Sequence, residues 1–175
     1  YQSVNEFLKN PLLVSLLFAA FDFKPSIPVK KHTFYRQVFD AFFERHDLTK
    51  GDGFMHEKKS KLAIDDFDTV MRYLGFDCQK KQKVEFEKDE LLKMIRSTQE
   101  RLPRICFQES DLLSDLLKAV PLFCKDGLFY KWTHKSLQEY FAAEFIYKDA
   151  KDNQDAVLSA IYRSKNLDRY LNLLD

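Results

Sequence analysis

Leu122-Phe123-Cys124-Lys125-Asp126-Gly127-Leu128-Phe129-Tyr130-Lys131-Trp132 sets two apolar, aromatic runs on either side of an Asp-Gly pair. Asp-Gly is a strong hairpin cue, because a type I′ turn needs positive φ at both central residues and these residue types accept it. The stretch predicts a β-hairpin. Helical patterns surround it. Upstream, Leu112, Leu113, Leu116, Leu117 and Val120 form one face of a helix that Pro121 stops. Downstream, Leu137, Tyr140, Phe141, Phe145 and Ile146 recur at helical spacing and pack a closing helix into the core.

A helix-rich stretch, one hairpin and a closing helix is the order expected of a winged-helix-like unit, with the hairpin as its wing. Working back toward the start, Ala63, Phe67, Val70, Met71 and Leu74 make an amphipathic helix that Gly75 is expected to end. Lys80-Lys81-Gln82-Lys83 then reads as a charged turn, Val84-Glu85-Phe86 as a short strand, and Asp89 to Glu100 as a helix. Before these, Asp47 to Lys59 is polar and holds two of the four glycines, which marks a linker. A wide apolar face of Phe34, Val38 and Phe42 beside Tyr35, Phe39 and Phe43 predicts a helix from His32 to about Arg45. Asp22 to Pro28, with two prolines, separates it from an apolar first helix. Asp155 to Arg163 and Leu167 to Leu174 read as two short terminal helices. The expected fold is mainly α: a helical segment over 1–48, a linker over 49–59, a winged-helix-like domain over 60–148, and a further helical segment from 149 to 175.

Composition agrees with helices. Only 4 Gly and 5 Pro occur in 175 residues, and 45% hydrophobic with 31% charged residues describes a globular chain. The formal net charge of +1 supplies no overall field to draw nucleic acid or an anionic membrane. Cys78, Cys106 and Cys124 are odd in number and lack a Cys-x-x-Cys pair, so unpaired thiols in a cytoplasmic setting are expected and zinc is not. No apolar run is long enough to span a bilayer.

Chemistry of the usual kinds is missing. There is no Gly-x-x-x-x-Gly-Lys-Ser/Thr phosphate cradle, no Gly-x-Ser-x-Gly and no His-Glu-x-x-His. No enzyme activity is expected of this chain alone. Leu62-Ala63-Ile64-Asp65-Asp66-Phe67-Asp68 imitates an apolar strand ending in paired magnesium-binding acids. The same residues belong to the helical stripe above, and no phosphate loop precedes them.

Two motifs remain. Tyr130-Lys131-Trp132-Thr133-His134-Lys135-Ser136-Leu137-Gln138-Glu139-Tyr140-Phe141-Ala142-Ala143 places a His-x-Ser-x-Gln-Glu cluster where a strand turns into an apolar helix. Asn10-Pro11-Leu12-Leu13 opens the first helix, with Asn10 as a good N-cap and Pro11 at the first helical position. The first motif resembles the histidine signature that closes the winged-helix region of NACHT-type signal-transduction ATPases, the STAND class that includes NOD-like receptors and bacterial defence proteins. It departs from that signature at Trp132, where Phe is usual. The Asn-Pro-Leu step is similar to the family's segment after the nucleotide-binding core.

The resemblance implies a regulatory piece of a larger protein, following an upstream P-loop NTPase domain that binds ADP or ATP with magnesium. It implies that His134 reaches the β-phosphate of ADP, that Pro11 lies against the adenine or ribose, and that Asn10 shapes the same turn. It implies homo-oligomer assembly of the parent protein, in a setting such as immunity or phage defence. Ser136 and Glu139 have the Ser-x-x-Glu spacing of a capping box and are assigned to the helix start. Two other readings stand beside this one. A nucleic-acid-binding winged helix would need Lys and Arg on its recognition helix, and Asp111 to Val120 carries Asp111, Asp115 and one Lys118. A protein-interaction scaffold would use the Lys80 to Lys83 turn or the Asp47 to Lys59 loop.

Overall fold

A computed structural model describes residues 11–26, 28, 30–48 and 58–164. The chain divides into two compact units, Tyr1–Glu57 with Lys118–Val120, and Lys58–Leu117 with Pro121–Asp175. The fold is mainly helical with one small antiparallel sheet, as the sequence pattern implies.

The first unit holds α1 (Pro11–Phe23) and α2 (Lys31–Leu48), which pack against each other. Leu16 and Ala20 of α1 and Phe34, Val38 and Phe39 of α2 are buried. Gln37 is buried as well, and its amide nitrogen donates to the carbonyls of Ala20 at 2.9 Å and Lys24 at 2.8 Å. The Ala20 carbonyl also accepts from the Lys24 N–H at 2.9 Å and the Lys24 carbonyl from the Ser26 N–H at 2.6 Å, so the Gln37 amide adds a second donor to each and ties α2 to the end of α1.

The second unit runs α3 (Ile64–Lys81), β1 (Glu85–Glu87), α4 (Lys88–Arg101), α5 (Glu109–Leu117), β2 (Phe123–Asp126), β3 (Phe129–Trp132), α6 (Lys135–Lys148), a 3₁₀ turn (Lys151–Asn153) and α7 (Gln154–Tyr162). The hairpin forms at the predicted place, but the turn is shifted by one residue. Asp126 is a strand residue opposite Phe129, so the central pair is Gly127 and Leu128, and only Gly127 has positive φ, 59°, rather than both central residues as type I′ needs. The sheet order is β1-β3-β2, so β1 joins the far side of the hairpin, with Phe86 opposite Tyr130. The sequence foresees β1 to within a residue but not that pairing. α5 ends at Leu117, short of the expected Val120. Residues just before a proline are pushed away from helical backbone, and Pro121 stands close behind.

One boundary is corrected outright. Gly75 does not end α3; the helix continues to Lys81 and closes at Gln82 in the left-handed region, φ 52°. Gly75 instead faces α6 at close quarters. A Cβ there would meet the Phe141 Cβ at 2.8 Å and the Ala142 backbone nitrogen at 3.2 Å. The glycine is in the helix for what lies opposite it. The Lys80 to Lys83 turn is accordingly half helix.

Buried polar groups stitch the same two helices. Arg72 on α3 pairs with Asp68 one turn earlier and donates to Asp149, past the end of α6, at 2.6 Å. Burial disfavours the guanidinium charge, and the hydrogen bond to Asp149 with the nearby Asp68 charge outweighs it, so the Arg72 pKa lies above its ordinary value. At the start of the unit, Asp115 of α5 is buried and its two carboxylate oxygens accept from the backbone N–H groups of Lys59 and Ser60, each at 2.8 Å.

Candidate functional site

Strand β3 delivers the chain to His134. Thr133 fixes the exit: its N–H donates to the Leu122 carbonyl and its hydroxyl to the Pro121 carbonyl, both at 2.9 Å. His134 follows in extended backbone, φ −141° and ψ 128°, as the N-cap of α6, and its carbonyl accepts from Leu137 at 3.1 Å. The residue is only 7% exposed, and its Nε2 atom is buried. The His-x-Ser-x-Gln-Glu cluster therefore lies on a strand-to-helix junction, with the imidazole at the positive end of a fourteen-residue helix.

The surrounding frame is rigid on physical grounds. Trp132 packs on Phe123, with ring centroids 4.5 Å apart, and on Phe141 at 5.9 Å. Burial pushes the Cys78 thiol up to about 12, with Trp132 acting in the opposite direction. Trp132 thus occupies a packed position. Two residues beyond Ser136, Gln138 is buried and reaches across to Gln79.

The capping-box assignment is corrected. The helix begins at Lys135 with His134 as N-cap, so Ser136 lies inside the first turn rather than ahead of it. Glu139 is buried and pairs with Lys135 one turn back, Nζ to carboxylate at 2.9 Å. The Ser-x-x-Glu spacing is present two residues too late to act as a box.

Pro11 is the first residue of α1, the position suited to proline, and its side chain lies outside the described residues. Asn10 lies outside them too, as do the side chains of His46 and His56. His32 is exposed on α2. Of the three nucleotide-contact residues expected from the resemblance, only His134 has a described environment. Asp65 and Asp66 occupy the first turn of α3, and Asp68 is committed to Arg72, so the acidic run serves a helix. Among the described residues no group of three or more His, Cys, Asp or Glu side chains could hold a metal ion, and no helix is long and apolar enough to cross a membrane.

Sequence reasoning missed the supports of this junction. Gln79 to Gln138 and Arg72 to Asp149 each join residues far apart in the chain, and no local pattern announces either of them. No family model, curated protein or solved structure matches the chain.

Proposed function

We propose that the chain is a regulatory portion of a NACHT-type STAND ATPase, closing over nucleotide held by a P-loop domain elsewhere in the same protein and thereby controlling assembly. The observation that carries the reading is His134 itself. It lies two residues past the end of hairpin strand β3 and caps a buried helix, which supports the reading. Imidazole donates a hydrogen bond whether charged or neutral, and a helix N-terminus favours an anion such as a phosphate group. The chain offers no phosphate cradle of its own. Its contribution is one donor, buried in this unit, that must be uncovered for contact with nucleotide in the closed parent protein. A nucleotide that touches this donor in the closed state alone favours that state by the difference in affinity.

The test is ADP release from the full-length parent protein. Losing one donor to a charged phosphate costs about 1.5–3 kcal/mol, so His134→Ala is expected to speed ADP release by about ten- to a hundredfold and to raise basal assembly. His134→Gln, which keeps a donor of similar reach, is expected to lie between Ala and the parent. Unchanged release and assembly in a folded His134→Ala protein would refute the nucleotide role.

The nucleic-acid alternative has less support. On α5, Asp115 is buried and used internally, and the helix carries no Lys or Arg. On the wing, Lys131 is bound to Asp126 at 2.6 Å.

A further inference from the structure

The continuation of α3 beyond Gly75 creates a surface that a helix ending there would lack. Phe76, Gln79 and Lys80 fall at i, i+3 and i+4 on one face of its last turns. Opposite them stands α7, and between the two lies a groove of about 520 Å³. Val157, Ala160 and Ile161 of α7 form its far wall with Ala156. Ala156 and Ala160 are exposed small residues one turn apart, which lets another backbone come close.

The rim is charged on one side. Lys80 also lines a second hollow, together with Lys81 and Lys93. The carboxylates of that hollow are already committed: Asp77 is paired with Arg101, and Glu90 with Lys83 and, at 3.8 Å, with Lys81. No ion pair joins Lys80 or Lys93 to another described residue, and both are exposed. An apolar trough therefore runs directly into a positively charged shelf.

We propose that this groove is a docking site for an acidic amphipathic helix of a protein partner. Its apolar stripe lies against Phe76, Val157 and Ile161, and its carboxylates meet Lys80 and Lys93. An apolar face read at helical spacing supplies affinity in this mode of recognition, and charge complementarity fixes partner choice. The inference is independent of His134 and of nucleotide. It gives the lysine run a purpose beyond solvation.

The test uses the whole chain and two labelled helical peptides that share one leucine stripe, one flanked by glutamates and the other by lysines, with fluorescence anisotropy as readout. Surface pairs contribute up to about 1 kcal/mol each, so at low salt the acidic peptide is expected to bind about tenfold tighter than the basic one. High salt is expected to erase the difference. Lys80→Glu with Lys93→Glu should reverse the preference, and Ala160→Trp, which fills the trough from an exposed position, should abolish binding of both peptides with the circular dichroism spectrum intact. Equal binding of the two peptides, no binding of either, an ineffective Ala160→Trp, or preference for a single-stranded oligonucleotide over the acidic peptide would each overturn the proposal.

Discussion

The side-chain nitrogen of Gln138 on α6 donates to the side-chain oxygen of Gln79 on α3 at 2.9 Å, a buried amide-to-amide bond between residues 59 apart in sequence. It lies on the helix that His134 caps, and Gly75, one turn before Gln79, sits against Phe141 and Ala142 of that helix. The histidine junction and helix α3 are thus held as one body.

That coupling gives the first expectation. Removing one member of a buried hydrogen-bonded pair costs about 1–3 kcal/mol, whereas replacing both with apolar groups of similar shape is nearly neutral. Gln138→Leu is expected to lower the urea midpoint, and Gln79→Leu with Gln138→Leu to recover much of the loss. Strict additivity in that cycle would mean the bond contributes nothing.

Gly75 gives the second. Alanine is a better helix former by about 1 kcal/mol, yet its Cβ must fit where the Phe141 Cβ would be 2.8 Å away. Overpacking costs about 1–3 kcal/mol, so Gly75→Ala is expected to be net destabilising and Gly75→Val more so. A rise in melting temperature on Gly75→Ala would mean that α3 and α6 can part without penalty.

Asp115 gives the third. Its carboxylate holds two backbone donors at the start of the second unit, and charged acceptors of this kind are worth about 1.5–3 kcal/mol each when buried. Asp115→Ala should release Lys59 and Ser60, read as faster amide exchange there and as earlier proteolysis after Lys58, Lys59 or Lys61. Asp115→Asn keeps one acceptor and should fall between.

The fourth concerns pH. The Cys78 thiol has its folded pKa raised from 9.0 to about 12, chiefly by burial. Below pH 9 the folded and unfolded chains both carry the proton, and this site adds no pH dependence. As pH rises from 9 toward 12 the unfolded chain loses the proton while the folded one keeps it, so stability falls across that window. Cys78→Ala is expected to lower stability overall and to flatten this alkaline limb. In the native protein a thiol reagent should modify exposed Cys106 well before Cys78.

Local chemistry made much of this legible. Asp126-Gly127 located the hairpin, apolar residues at helical spacing located α3, α5 and α6, and the His-x-Ser-x-Gln-Glu cluster fell on the junction where a strand meets a helix. The failures share one cause. Gly75 resembles a helix stop because nothing near it in sequence mentions Phe141. Ser136 and Glu139 have box spacing, but the chain enters α6 two residues earlier, fixed by Thr133 on the Pro121 and Leu122 carbonyls. β1 is readable as a strand, yet its place beside β3 depends on residues more than forty positions later. Tertiary contact, not propensity, decided each of these.

The β1-β3-β2 order also has a consequence for how the protein is made. Strand β1 and the apolar face of α3 leave the ribosome before β3 and α6, the elements that cover them, have been translated. With Gln79 and Gln138 separated by 59 residues, synthesis at about 5–20 residues per second leaves that face uncovered for roughly 3–12 seconds. For those seconds the apolar residues that α3 later buries against α6 are exposed on the nascent chain.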